Sequence, residues 1–168
     1  GGFGRTCHTL FTLHPNIESY TIIDLGPMLA LSQQYLKIAI PNKFDQIQFI
    51  DSDSLELQKA LTPDLVINID SFQEMPLDVI NSYMSRVVSD SKYFYSKNAV
   101  AKYLPNIIGM PELDSNKILD VFELGRCRDV IDIYNDIELS VARDKYLKAY
   151  NPHSSQWSLL NEIPMRLF

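Results

Sequence analysis

The sequence predicts a doubly wound α/β fold with a mostly parallel sheet. Residues 1–6 form a glycine-rich turn that leads into a helix-like segment, short β-type runs then alternate with helix-type segments, and polar residues follow the β-type runs. In this fold class the carboxyl ends of parallel strands share one edge of the sheet, and ligands bind there. We therefore expect a ligand site made by the loops that follow the strands.

The first part of the chain predicts helix, strand, helix. Small and apolar residues over 6–13 predict a short helix, which ends before Pro15 because proline disfavours helix at the residue preceding it. β-branched and aromatic residues over 19–25 predict a buried strand. A proline near its start and apolar residues on one side predict a helix over 27–38.

The middle of the chain continues the alternation. Polar and apolar residues alternate over 46–50, which predicts a strand, and the acidic and serine residues after it can cap a short helix through Glu56 and Leu57. The run 64–70 predicts a buried strand followed by a loop over 71–76. Helical spacing of apolar residues over 77–89 predicts a helix.

The remaining elements are a strand, a helix and a late edge strand. Aromatic residues over 93–96 predict a strand, the spacing over 136–150 favours a helix, and 130–133 fits either. Residues 157–160 predict a late antiparallel edge strand. The order begins one strand late, so we expect the first, central strand to lie before Gly1, in a longer natural chain of which this is a fragment.

Size, charge and cysteine content limit the class of protein. With 168 residues of which 46% are hydrophobic, one domain is expected. The net charge is −6 and the 15 basic residues are dispersed, which argues against a nucleic-acid binder and favours a small uncharged or cationic partner. The sequence shows neither an apolar run of bilayer length nor a secretory signal. Cys7 and Cys127 lack metal or disulfide spacing, so reduced thiols in a cytoplasmic protein are expected.

The glycine turn and the strand-terminal carboxylates predict an adenosine-containing cofactor. Gly4, Asp24, Asp51 and Asp70 all fall at the predicted ligand edge, where bare backbone can approach a nucleoside and a carboxylate can accept the ribose hydroxyls. The dinucleotide fingerprint requires a small third residue at the position that Cys7 occupies, which weakens the prediction of a nicotinamide cofactor. Two glycines near the start of a chain are also typical of a flexible end.

Five segments together resemble the sugar O-methyltransferases, a class I S-adenosylmethionine-dependent family linked to bacterial surface polysaccharides. The segments are GGFGRTCH at 1–8, YTIIDL at 20–25, DLVINIDSFQEMP at 64–76, YFYSKNAVAKYLP at 93–105 and NPHSSQW at 151–157. Gly2-Phe3-Gly4 is similar to the last three positions of the G-x-G-x-G element of class I methyltransferases. The resemblance implies a Rossmann-like methyltransferase sheet, S-adenosylmethionine as cofactor and a sugar hydroxyl as acceptor.

The resemblance also implies roles for individual residues. The glycine turn, with Phe3, lies beside the methionine part of the cofactor, Asp24 binds the ribose, and the adenine ring is contacted near Asp51. Asn68 and Asp70 face the sulfonium and the acceptor. The residues predicted to contact the cofactor are Gly2, Phe3, Gly4, Asp24, Leu25, Asp51, Ser52, Asn68 and Asp70.

Methyl transfer to a hydroxyl needs a group that removes a proton. His153 is the best imidazole because it lies in a turn and its ordinary pKa suits the task, and Asp70 and Glu74 are the carboxylate alternatives. No fixed spacing of oxygen ligands is present, so no metal is predicted. An NAD(P)-dependent oxidoreductase, a non-catalytic interaction domain and a homo-oligomer remain open alternatives.

Overall fold

The computed structural model describes residues 2–53, 61–103, 123–152 and 157–163. The chain divides into two compact units, Gly1–Ala60 and Leu61–Phe168, which we call unit 1 and unit 2. Each contains one two-stranded parallel sheet together with helices. The fold is therefore mixed α/β with parallel strand pairs, as the alternating pattern predicts.

Unit 1 contains two helices and two strands that follow the predicted order. In chain order they are α1 (Arg5–Leu13), β1 (Tyr20–Asp24), α2 (Gly26–Ala39), a 3₁₀ segment (Pro41–Gln46) and β2 (Ile47–Asp51). The strands pair in parallel, with Tyr20 opposite Ile47 and Asp24 opposite Asp51. Pro27 lies in the first turn of α2, where a fixed φ is favourable and a missing N–H costs nothing.

The core of unit 1 joins both helices to both strands. Its buried side chains are Cys7, Phe11, Ile22, Leu29, Leu36 and Ile47. Because α1 and α2 each place apolar residues against the β1–β2 pair, the turn before α1 and the loop after β1 are held in one packed unit.

Unit 2 contains a second parallel pair and its helices. The elements are β3 (Leu65–Ile69), a 3₁₀ turn (Phe72–Glu74), α3 (Leu77–Tyr83), a π-helical segment (Met84–Val88), β4 (Tyr93–Lys97) and α4 (Asp136–Ala149). Leu65 lies opposite Tyr93 and Ile69 opposite Lys97. One buried cluster comprises Phe72, Ile80, Met84, Val88, Tyr146 and Tyr150, so α4 packs on the same core as the loop after β3.

Three sequence predictions differ from the structure. The predicted late strand is wrong, since 157–163 carries no regular secondary structure; Leu160 is 76% exposed, and a strand needs a paired edge. The segment 77–89 is helical only to Tyr83 before its hydrogen bonding becomes π-helical. Val130 forms one isolated parallel bridge with Lys102, neither strand nor helix. The predicted short helix at Glu56 lies outside the described residues.

Within the described parts of the chain, no helix is both long enough and apolar enough to cross a membrane.

Candidate functional site

The glycine turn before α1 has a backbone that only glycine adopts readily. Gly2 has φ +55° and Gly4 has φ +93°, both in the left-handed region. A Cβ at Gly4 would lie 2.8 Å from Leu36 Cδ1, and Leu36 is fully buried. Gly4 also begins α1, because its carbonyl accepts a hydrogen bond from the backbone N–H of His8. The turn therefore requires glycine at position 4 for two independent reasons.

A buried hydroxyl on α2 ties the turn to the second helix. Ser32 Oγ lies 2.8 Å from the carbonyl oxygens of both Gly2 and Met28, which share its single proton. Ser32 is completely buried. Because α2 begins at Gly26, two residues after Asp24, this contact connects the glycine turn with the helix that follows the carboxyl end of β1.

Aromatic side chains cover one side of the turn. The Phe3 ring packs edge-on against Tyr35 with centroids 5.5 Å apart, and the Arg5 guanidinium lies 5.8 Å from the Phe3 centroid. The Tyr35 hydroxyl is 2.7 Å from His8 Nδ1. The Phe3 residue is 39% exposed. This arrangement is compatible with the predicted contact of Phe3 with a ligand.

Two carboxylates lie side by side at the ends of β1 and β2. Asp24 and Asp51 are opposite each other in register, and neighbouring parallel strands run about 4.8 Å apart. Asp24 Oδ1 accepts a hydrogen bond of 2.8 Å from the backbone N–H of Leu25, and Asp51 Oδ1 accepts one of 3.0 Å from that of Asp53. The backbone N–H of Ser52 donates to the carbonyl of Asp24.

The glycine that starts α2 makes room for one of these carboxylates. A Cβ built on Gly26 would lie 3.0 Å from Asp51 Oδ2. Leu25, between Asp24 and this glycine, is exposed. The two carboxylates, the start of α2 and the glycine turn thus belong to the same packed unit. We call Asp24 and Asp51 together the carboxylate edge.

In unit 2, polar side chains at the ends of β3 and β4 bond to one another. Asn68 Oδ1 accepts hydrogen bonds from Asn98 Nδ2 at 2.8 Å and from the backbone N–H of Phe72 at 3.3 Å, and Asn68 Nδ2 donates to Ser71 Oγ. Asn98 Oδ1 accepts from the same Phe72 N–H at 3.1 Å. We call the Asn68 and Asn98 side chains the amide pair.

A tyrosine of α4 extends this network. The Tyr146 hydroxyl lies 2.5 Å from Ser96 Oγ, which also accepts a hydrogen bond from Asn98 Nδ2. Burial raises the pKa of Tyr146, so its hydroxyl keeps its proton well into the alkaline range. The neutral hydroxyl therefore links α4 to the end of β4.

Asp70 is the one residue other than glycine with positive φ in the described chain, at +53°. Its backbone N–H donates to the Lys97 carbonyl at 2.7 Å, and its Oδ2 accepts a hydrogen bond from Lys97 Nζ at 3.1 Å. The side chains of Asp70 and Lys97 are 53% and 39% exposed. Glu74, at the end of the 3₁₀ turn, is exposed as well.

The loop after Asp70 is held from three directions. Gln73 Oε1 accepts a hydrogen bond of 2.6 Å from the backbone N–H of Ala99, and the Gln73 carbonyl accepts one from Lys102 Nζ. Burial, and then the nearby Arg128, lower the pKa of Lys102. Gly125 has φ +79°, and a Cβ there would lie 3.2 Å from Gln73 Cα. These contacts fix the loop backbone.

The structure divides the predicted site residues between the units. Unit 1 contains the turn residues, Asp24, Leu25, Asp51 and Ser52, while unit 2 contains Asn68, Asp70 and Glu74. His153 lies outside the described residues, so its catalytic role stays a prediction. In the described parts of the chain, no group of three His, Cys, Asp or Glu side chains is placed to hold a metal ion.

Sequence reasoning missed several residues that position these groups. Ser32, Gln73 and Gly125 act through contacts with residues distant in sequence, which no local pattern predicts. Asn98 is another such residue, because its amide bonds Asn68 and Phe72. An Asn close to the end of each of two strands is the one signal that could have indicated the amide pair.

Two open grooves lie away from the predicted site residues. One of about 360 Å³ runs along α4 and includes Val130, Ile137 and Val141. The other, of about 260 Å³, lies on α1 and includes His8 and Leu13. Both are shallow surface features rather than enclosed cofactor pockets.

Comparisons of the chain with family models, with curated proteins and with solved structures each found no match.

Proposed function

We propose that the chain is a class I methyltransferase-like domain that uses S-adenosylmethionine to methylate a sugar hydroxyl, in surface-polysaccharide synthesis. The observation that carries the proposal is the carboxylate edge next to a helix that also anchors the glycine turn. A Rossmann-like sheet of the methyltransferase kind is part of the same proposal. Its support is the order turn, helix, strand, helix, strand in unit 1, with an aspartate ending each strand.

The carboxylate edge suits the ribose and adenine of an adenosyl group. Two carboxylates on adjacent strands repel each other, and each accepts a hydrogen bond from a backbone N–H. A vicinal diol that donates hydrogen bonds to one of these carboxylates offsets the repulsion. We assign the ribose to Asp24 and the adenine side to Asp51 and Ser52.

The glycine turn suits the amino-acid end of the cofactor. Its backbone carries no Cβ at Gly2 or Gly4, and it is fixed by Ser32 and Leu36 rather than by solvent contacts. A turn that is rigid before a ligand arrives loses less entropy when the ligand binds. The acidic net charge of −6 favours a cationic sulfonium over a pyrophosphate.

When bound, the cofactor supplies an electrophilic methyl group that an acceptor hydroxyl attacks in line. The protein must hold the acceptor and take its proton. We propose Asp70 and Glu74, exposed on the loop after β3, as the described carboxylates that take the proton. His153 remains the predicted imidazole alternative.

Ligand protection against thermal unfolding tests the cofactor class. A ligand at about 100 times its Kd stabilises the native state by about 2.7 kcal/mol, which is a readily measured rise in Tm. We expect S-adenosylhomocysteine to protect the full chain and NAD to leave its Tm unchanged. Protection by NAD alone would favour the oxidoreductase alternative, and protection by neither would favour the interaction domain.

A matched pair of charge-neutral variants tests the residue assignment. Asp24→Asn should weaken S-adenosylhomocysteine binding by about tenfold, equivalent to about 1.4 kcal/mol, because an amide is a poorer acceptor for ribose hydroxyls than a carboxylate. Asp45→Asn, which changes an exposed carboxylate elsewhere in unit 1, should leave the affinity unchanged. Equal affinities for the two variants, measured by calorimetry, would remove Asp24 from the site.

Methyl transfer itself is measured as release of S-adenosylhomocysteine in the presence of nucleotide sugars and oligosaccharides. We expect turnover with at least one hydroxyl-bearing sugar and about tenfold slower turnover with Asp24→Asn at low cofactor concentration. Cofactor binding without turnover on any sugar would keep the cofactor class and reject the acceptor class.

A further inference from the structure

The left-handed backbone of Asp70 is the most strained feature described in unit 2. Positive φ is energetically unfavourable for a residue with a Cβ, although aspartate tolerates it better than most residues. Such a conformation persists only where the surrounding structure fixes it. Glycine would adopt φ +53° without strain. Aspartate at this position adds a carboxylate that glycine lacks, and this carboxylate pairs with Lys97 Nζ.

The amide pair forces the turn at this residue. Asn68 bonds forward across Asp70 to Ser71 Oγ and to the Phe72 N–H, while Asp70 donates its own N–H to Lys97 on the neighbouring strand. The chain must reverse sharply between 69 and 71 to satisfy both sets of bonds. Asn98 completes the constraint because it bonds Asn68 Oδ1 and the Phe72 N–H at the same time.

The side-chain amides of Asn68 and Asn98 are hydrogen-bonded within the protein, whereas the Asp70 carboxylate is partly exposed to solvent. Both polar atoms of Asn68 and of Asn98 have protein partners. The Asp70 side chain is about half exposed, and its Oδ2 is oriented by Lys97 Nζ. Of the predicted groups at this strand end, the carboxylate is the one placed to meet a molecule from solution.

We propose that Asn68 and Asn98 are positioning residues that hold Asp70 in its left-handed conformation, so that the Asp70 carboxylate accepts a hydrogen bond from the acceptor hydroxyl. The assignment rests on the proposed methyl transfer for its substrate class, a polyhydroxylated acceptor. Tyr146 supports the pair through Ser96. Lys97 supplies the cation that orients the carboxylate and balances its charge.

Crystal structures of full-chain variants test the positioning step without any ligand. Asn98→Ala removes every bond of that amide, and Asn98→Asp keeps the shape and the acceptor for the Phe72 N–H but loses the donor to Asn68, which guards against a misfolded alanine variant. We expect the φ of Asp70 to become negative in at least one of them. A positive φ at Asp70 in both variants, with the loop unchanged, would overturn the proposal. Asn42→Ala, an exposed amide in unit 1, is the control.

Kinetics test the step at the acceptor. Asp70→Gly retains the backbone conformation without the carboxylate, so kcat/KM for methyl transfer should fall by about 100-fold. Asn98→Asp should lower kcat/KM while the S-adenosylhomocysteine Kd stays unchanged. Full activity of Asp70→Gly would overturn the role of the carboxylate. If wild-type chain neither binds S-adenosylhomocysteine nor transfers a methyl group, the proposed function fails, and the crystal structures alone decide whether the amide pair positions Asp70.

Discussion

The two units treat the polar residues at their strand ends differently. In unit 1, Asp24 and Asp51 each accept a hydrogen bond from a backbone N–H of their own loop, and glycine leaves space beside Asp51. In unit 2, Asn68 is bonded by side chain and backbone from two neighbouring segments. The strand-end carboxylates of unit 1 thus bond within their own loops, whereas the strand-end amide of unit 2 also ties its loop to a second segment.

The largest expected effect concerns the glycine turn of unit 1. Gly4→Ala should destabilise the protein by about 2–4 kcal/mol, because a left-handed alanine costs about 1–2 kcal/mol and forcing a Cβ against buried Leu36 costs a similar amount. Urea unfolding measures the change. Gly2→Ala is the matched control, with positive φ but nothing within 4 Å of the added Cβ, so its cost should be about 1–2 kcal/mol.

The corresponding glycine of unit 2 sharpens this comparison. Gly125→Ala meets backbone of Gln73 rather than a side chain, at 3.2 Å, and it also has positive φ. Its destabilisation should equal or exceed that of Gly2→Ala. If Gly4→Ala and Gly2→Ala cost the same, the contact of the turn with Leu36 is not tight, and α2 does not fix the turn.

High pH should destabilise both units. Burial raises the pKa of the Cys7 thiol to about 12 from 9.0, and burial followed by the nearby Cys7 raises that of Tyr20 to about 12 from 10.0. In unit 2, burial and then Asp129 raise the pKa of Cys127 to about 11. These groups ionise in the unfolded chain before they ionise in the native protein, so unfolding releases protons above pH 9.

The stability that these groups contribute is therefore complete below pH 9 and is lost as pH rises toward 12, by up to about 1.4 kcal/mol per pH unit for a single group. Urea unfolding at pH 7, 9, 10 and 11 measures the loss. Cys7→Ala should flatten this dependence more than Cys127→Ala, because the pKa of Cys7 is raised further. Stability that stays constant to pH 11 would show that the buried thiol and phenol ionise as readily as in the unfolded chain.

Elements with a strong local pattern were predictable from sequence. β1, β3 and α2 lie within a residue or two of the predicted spans, because β-branched runs and helical spacing determine them locally. The apolar pattern at 157–160 is similar, but a strand also needs a neighbour, and Glu162 instead bonds Arg143 of α4. Strand pairing depends on residues distant in sequence, so a short apolar run cannot predict it alone.

The candidate site shows the same limit. The glycine turn and the aspartates that end β1 and β2 were predictable, because backbone freedom and strand-end position are local properties. The burial of Ser32 against Gly2 and the bond between Asn68 and Asn98 depend on packing between elements. The cofactor roles of these residues stay predictions that the experiments above decide.

Removing the hydroxyl of one tyrosine in each unit, Tyr146 or Tyr35, compares the side-chain hydrogen bonds of the two units. Tyr146→Phe removes the hydrogen bond between the buried Tyr146 hydroxyl and Ser96 Oγ and should cost about 1–1.5 kcal/mol. Tyr35→Phe removes a half-buried bond to His8 near the surface and should cost about 0.5 kcal/mol, the low end of the range. Thermal unfolding measures both. A larger cost for Tyr35 would show that the turn of unit 1 depends on side-chain bonds as much as the loop of unit 2 does.

The smallest expected change in stability is that of Gly26→Ala, a variant that separates effects on folding from effects on ligand binding in unit 1. Gly26 is the first residue of α2 and does not have positive φ, so Gly26→Ala should alter stability by no more than about 0.5 kcal/mol. The new Cβ would displace the Asp51 carboxylate, which lies 3.0 Å away, and S-adenosylhomocysteine affinity should fall by about tenfold.

Gln33→Ala, on the exposed side of the same helix, is the control and should change neither quantity by a measurable amount. Calorimetry gives the affinities and urea unfolding the stabilities. Unchanged affinity in Gly26→Ala, with Asp51 shown crystallographically to have moved, would exclude Asp51 from ligand contact. Asp24 does not touch the added Cβ in Gly26→Ala, so only Asp24→Asn tests the role of Asp24. The two carboxylates of the edge can therefore be tested independently.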